Sequence, residues 1–192
     1  MSKSNKPRIY KGDYGYIKAQ KKTEIIRTAV LLALPIAIYI TGFISTGSNQ
    51  NLLTFVAVLG CLPMARSAVS MVLFLKAKEC CSEETFKKIV GAGVNVTYYD
   101  LYYTTYKKNF TVASLHLKKG CLIVLTEDKD VDAEAFEAHL KEVLKNCGGE
   151  KISVKVFTDT DKYIERAREL NALSGEDADY SFILENLLIV SI

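Results

Sequence analysis

From Thr28 to Ala65 the chain carries no Lys, Arg, Asp, Glu or His, a run of 38 residues. It opens as TAVLLALPIAIYITGFIS, turns polar at Thr46–Asn51 (TGSNQN) and resumes as LLTFVAVLGCLPMA; after Arg66 it continues SAVSMVLFL to Leu75. A helix needs about 20 mostly apolar residues to cross roughly 30 Å of hydrocarbon. Two such segments joined by a short polar turn predict a transmembrane hairpin, with spans over about 28–45 and 52–75. The first run starts at residue 28, has no small-residue cleavage pattern and is followed at once by a second span. That predicts a retained anchor rather than a removed signal.

Charge divides at the hairpin. Residues 1–27 carry eight Lys and Arg (Lys3, Lys6, Arg8, Lys11, Lys18, Lys21, Lys22, Arg27) against Asp13 and Glu24, whereas residues 76–192 carry sixteen basic and twenty acidic side chains. Short flanks rich in Lys and Arg stay cytoplasmic. The expected topology is multi-pass in the plasma (inner) membrane with both termini cytoplasmic. Residues 1–27 are then a loose basic cytoplasmic arm broken by Pro7, Gly12 and Gly15, with Lys18, Lys21, Lys22 and Arg27 facing lipid. The mildly acidic remainder argues against a nucleic-acid partner, because phosphate binding is driven by clustered basic residues. The lack of a eukaryotic targeting signal points to a bacterial source.

Within the hairpin, small residues recur every fourth position: Ala29, Ala33, Ala37 and Thr41, then Ala57, Cys61 and Ala65. Such ridges let helix backbones approach closely. They are the expected packing surfaces, either between the two helices or between copies in a homo-oligomer. Pro35 and Pro63 sit near the middle of the spans and mark a bend, hinge or cavity. Arg66, about 21 Å along the second span when counted from Leu52, is an intramembrane functional candidate.

Beyond the hairpin, residues 76–93 read as a juxtamembrane helix, with Ser82 as a start signal and Gly91 and Gly93 as stops. Cys80 and Cys81 stand just below the membrane. With Cys61, Cys121 and Cys147 they make an odd count without C-x-x-C spacing, which predicts reduced thiols and no metal site. Residues 94–192 form the expected cytosolic domain. Val94–Tyr106, Phe110–Leu117 and Cys121–Thr126 are an antiparallel meander, its turns at Lys107-Lys108-Asn109 and Lys118-Lys119-Gly120. The tyrosines Tyr98, Tyr99, Tyr102, Tyr103 and Tyr106 are packing residues. A helix opened by Asp128, Asp130 and Asp132, a strand at Lys151–Phe157 and a helix capped by Thr158–Asp161 follow. Gly175 opens an acidic loop, and the apolar tail FILENLLIVSI packs on the domain as strand or helix.

The fold class is α+β, with element order α-β-β-β-α-β-α after the hairpin. That order resembles the core of the restriction-endonuclease-like fold over about 80 residues. The resemblance implies an Asp on the second strand, an Asp/Glu-x-Lys on the third, and a magnesium ion between them. Here Glu127-Asp128-Lys129 has the Glu-x-Lys spacing but follows the third strand, the second strand FTVASLHL holds no Asp, and Asp100 lies one strand early. Asp100, Glu127 and Lys129 are therefore the only catalytic candidates. His116 and His139 lack ligand-spaced partners and are structural. The reading is a tether, scaffold or sensor at the inner membrane surface, without cofactor, whose partners are the bilayer, an unknown cytosolic protein and further copies of itself. The alternatives are a nuclease-like enzyme, degenerate or active, and a small oligomeric channel or transporter subunit built on Arg66 and the prolines.

Overall fold

A computed structural model describes residues 8–105, 108–174 and 178–192. Lys3, Lys6, Pro7, Tyr106, Lys107 and Gly175 lie outside the described residues. The chain divides into two compact units: one takes in the chain up to Ile17 together with Lys78–Ile192, and the other is Lys18–Ala77. Six helices and one four-stranded sheet make a mixed α+β protein among the described residues.

The second unit consists of two helices. α1 (Tyr16–Thr46) and α2 (Leu52–Lys76) are each long and apolar enough to cross a membrane. Asn51 caps α2 by accepting from the Thr54 N–H, as a short polar residue before an apolar run should. α1 begins twelve residues earlier than the apolar run suggests. Gly12 and Gly15 take φ of +94° and +80° and stop helix before Tyr16. After them, Ile17 to Arg27 contains no breaker, so Tyr16–Arg27 is helix and not a loose arm.

The first unit is built on a sheet of order β1-β2-β3-β4: β1 (Tyr98–Thr104), β2 (Asn109–Lys118), β3 (Cys121–Leu125) and β4 (Ser153–Phe157). β1, β2 and β3 pair antiparallel as expected. Lys119 (φ +51°) and Gly120 (φ +68°) form the two-residue turn between β2 and β3; left-handed φ at both positions matches the strand twist. β4 pairs parallel to β3, which requires a crossover. Helix α4 (Ala133–Asn146), capped by Asp132, provides it.

β3 is buried on both faces. Leu122 and Val124 join the core under α4 and α6 (Ser181–Val190). Ile123 and Leu125 join the core under α3 (Glu83–Gly91) and α5 (Thr160–Ala172). The apolar tail is thus a helix, followed by Ser191 bridging to Tyr103. On α3 Ile89 is fully buried while Val90 beside it is 55% exposed.

The edge of β1 away from β2 is covered by the segment around Gly12 and by Ile192. The Tyr99 N–H donates to the Gly12 carbonyl (2.7 Å), and the Ile192 N–H donates to the Tyr102 carbonyl (2.8 Å). Lys11 Nζ donates to the Ser191 carbonyl, and the Tyr14 ring stacks on Phe86 at 4.0 Å. An exposed edge strand invites pairing with other chains; here Gly12 and Ile192 occupy it.

Candidate functional site

Two places gather the chemistry-bearing residues, one in each unit.

In the domain the first is Asp100. It is 2% exposed and adopts φ +54° within β1, a conformation Asp tolerates better than most residues. Its Oδ2 accepts the Ile17 N–H at 3.2 Å and its Oδ1 accepts the Cys80 N–H at 3.0 Å. Ile17 is the last residue of the domain before the chain leaves it, and Cys80 lies just after the chain returns. One carboxylate therefore holds both crossings. Burial pushes its pKa above the usual carboxylate range, and the backbone donors of Cys80, Ile17 and Cys81 pull it back.

Glu127 does similar work nearby, accepting the Ser82 N–H at 2.8 Å. These bonds explain why residues 76–93 are not one helix. α2 ends at Lys76, Ala77 is extended, and Ser82 restarts the chain as cap of α3; between them the Cys80 and Ser82 amides are held by Asp100 and Glu127. Cys80 and Cys81 are buried here at 1% and 5% exposure. Burial beside Glu127 and Asp100 pushes the Cys81 thiol up to about 12.

The nuclease candidates are only partly brought together. Glu127 and Lys129 edge a surface depression of about 260 Å³, with Lys78, Glu79, Thr111 and Asp128 around it. Asp100 is not in its lining; its two oxygens face backbone amides. Among the described residues no group of three or more His, Cys, Asp or Glu could hold a metal ion. No family model matches the chain, and neither does any curated protein or solved structure.

The histidines are packed. His116 Nδ1 meets Thr97 Oγ1 at 3.3 Å. His139 stacks near Phe110 and edges Tyr103, beside a groove that also includes Lys108, Asp132 and Glu142. Of the tyrosines, Tyr103 is fully buried and donates to the Leu187 carbonyl.

In the helical pair the second place is the seam. Thr28 Oγ1 and Ser67 Oγ share a buried hydrogen bond of 2.8 Å. Seven residues along, a Cβ at Gly60 would touch Pro35 at 3.4 Å, and seven further a Cβ at Gly42 would meet Leu53 Cβ at 2.8 Å. The contact thus repeats at 28, 35, 42 against 67, 60, 53, a heptad seam. Of the four-residue ridges expected to pack between the helices or between copies, only Ala57 is buried within the helical pair. A four-residue repeat advances about 40° around the helix per step, whereas a seven-residue repeat drifts only about 20°. Ala29, Ala33, Ala37 and Thr41 are accordingly exposed. Ala57 is buried, but Cys61 and Ala65 turn out to the surface.

Pro35 is buried in the seam and Pro63 is exposed, so the prolines do not face one another. Glu24, 2% exposed, was missed by sequence reasoning because it precedes the apolar run. Its Oε1 takes Arg27 Nη1 at 2.9 Å and Gln20 Nε2 at 3.1 Å. Its Oε2 is buried without a hydrogen-bond partner among the described residues. Arg66 is exposed, as are Lys18 and Lys22, while Lys21 is half-buried.

Proposed function

We propose that this chain is a two-span membrane protein that holds an α+β domain at the cytoplasmic face of the inner membrane, where the domain acts as a tether, scaffold or sensor. The observation that supports it most is the make-up of the domain. Residues before α1 and residues after α2 belong to one compact unit, joined through Asp100 and through the Gly12–Tyr99 bond. A domain assembled from both flanks of a hairpin needs both flanks on the same side of a bilayer. The lysines and arginines on those flanks, set against the uncharged loop 47–51, favour the cytoplasmic side.

The domain's carboxylates support a binding role over catalysis: Asp100 and Glu127 serve the backbone of the returning chain. The exposed ridge of Ala29, Ala33 and Ala37 leaves a surface for a second copy in the membrane.

The test uses single-cysteine proteins in intact cells and a membrane-impermeant maleimide. Ser48→Cys in the loop should be labelled from outside, whereas Cys147 should be labelled only after permeabilisation. Labelling of Cys147 in intact cells, or recovery of the full chain in solution without detergent, sinks the reading. Metal-dependent cleavage of nucleic acid that disappears in Glu127→Ala would replace it with the enzymatic one.

A further inference from the structure

The helical pair sets two arginines side by side. Thr28 and Ser67 face each other across the seam, and Arg27 and Arg66 immediately precede them. Successive residues turn by about 100°. Because α1 and α2 run antiparallel, one step back along each turns both side chains towards the same lateral face. The two arginines stand within about 3 Å of one level along the axis, on helices whose axes pack about 8–10 Å apart.

Arg27 is oriented from behind by the buried Glu24 carboxylate, yet its side chain stays 57% exposed. Arg66 is exposed and makes no ion pair among the described residues. One heptad deeper on the same face stand Leu34 and Leu59, exposed at 62% and 49%. The face thus changes from paired guanidinium groups to an apolar wall.

Its depth follows from the register. α1 is uncharged from Thr28 to Thr46, about 27 Å of helix, close to the hydrocarbon thickness of roughly 30 Å. Arg27 therefore lies at the polar edge, and the Thr28–Ser67 contact brings Arg66 to the same edge, although α2 runs on apolar to Leu75.

We infer that Arg27 and Arg66 form a binding site for the phosphate of an anionic phospholipid, with its acyl chains along Leu34 and Leu59. The inference rests on the reading of α1 and α2 as spans. Guanidinium forks match phosphate oxygens through paired N–H donors; with Glu24 offsetting the charge of Arg27, Arg66 leaves the face one net positive charge, which favours a headgroup with net negative charge over a zwitterionic one.

The full-length chain is purified in detergent, offered phosphatidylglycerol or phosphatidylcholine, and examined by native mass spectrometry. Wild type should retain phosphatidylglycerol preferentially. Arg66→Gln should lower that retention about fivefold, the equivalent of one lost arginine near an anionic headgroup. Arg66→Lys, which keeps the charge but not the fork, should fall between. Lys76→Gln removes the same charge about 15 Å further along α2 and should change nothing. Equal loss in Lys76→Gln, absence of lipid preference, or displacement of the lipid by excess inorganic phosphate overturns the site. Resistance of the chain to alkaline extraction from vesicles reports the spans separately. A chain that stays embedded but shows no lipid preference fails the site alone, and one that washes off fails both.

Discussion

Asp100 shows how one side chain can hold a junction. A buried carboxylate whose oxygens both accept backbone N–H groups satisfies amides that no helix or strand covers. Asp100→Ala leaves the Ile17 and Cys80 amides without acceptors. It should cost about 3 kcal/mol, seen as a lower denaturation midpoint of the full chain in detergent and as faster hydrogen exchange at Cys80. Its pH dependence has a definite sign. Burial raises the native pKa above the unfolded value, so between the two the folded chain binds a proton that the unfolded chain has released. The stability contributed by this group is then greatest in acid and falls as pH rises through the native pKa. The gap between wild type and Asp100→Ala should narrow as pH is raised from about 4; a gap that widens would mean that the backbone donors outweigh burial. Cys81 carries a second expectation. A thiol moved from 9.0 to about 12 has roughly a thousandfold less thiolate at neutral pH. In the folded protein Cys81 should resist maleimide while the half-exposed Cys147 reacts, as peptide mass spectrometry would show.

At the scale of elements, the period of the contact decides which helix faces meet. The pairs Thr28–Ser67, Pro35–Gly60 and Gly42–Leu53 keep one register over the length of the hairpin. Thr28→Cys with Ser67→Cys should therefore close an intrachain disulfide under mild oxidation. Ala33→Cys with Ala65→Cys, drawn from the two exposed ridges, should not close one within the chain. Both can be read from mobility on non-reducing gels. Gly42→Leu should weaken the pair, since its side chain would start 2.8 Å from Leu53 Cβ and from Asn51 Oδ1. The four-residue ridges were visible in the sequence, and so were the residues of the heptad. Which of two apolar faces finds its partner helix is not legible in the sequence, because both faces are equally apolar.

At the scale of the whole molecule, the domain is closed by pieces from both ends of the sequence. Ile17 is fully buried, Tyr14 stacks on Phe86, Gly12 receives the Tyr99 amide and Lys11 binds the Ser191 carbonyl. Removing residues 8–15 uncovers the edge of β1 and part of the core beneath Phe86. The shortened chain should melt several degrees lower and aggregate more readily through that edge. Unchanged melting and solubility would mean that the N-terminal strip contributes nothing to the fold.

The sequence by itself determined the elements whose signals are local. An uncharged run of 38 residues interrupted by one polar turn makes two helices, each long and apolar enough to cross a membrane. Ser82, Asp132 and Asp159 start helices because their side chains accept the amides that open a helix. The alternation and turns of 109–125 fix a meander. Only the tertiary structure decided what depends on distant partners: that β4 runs parallel to β3, that the apolar tail is a helix, that Asp100 ties Ile17 to Cys80, and that Arg66 stands level with Arg27. Each of these follows from pairings between residues far apart in the chain, and a local pattern of hydropathy and charge carries no information about which remote group will be the partner.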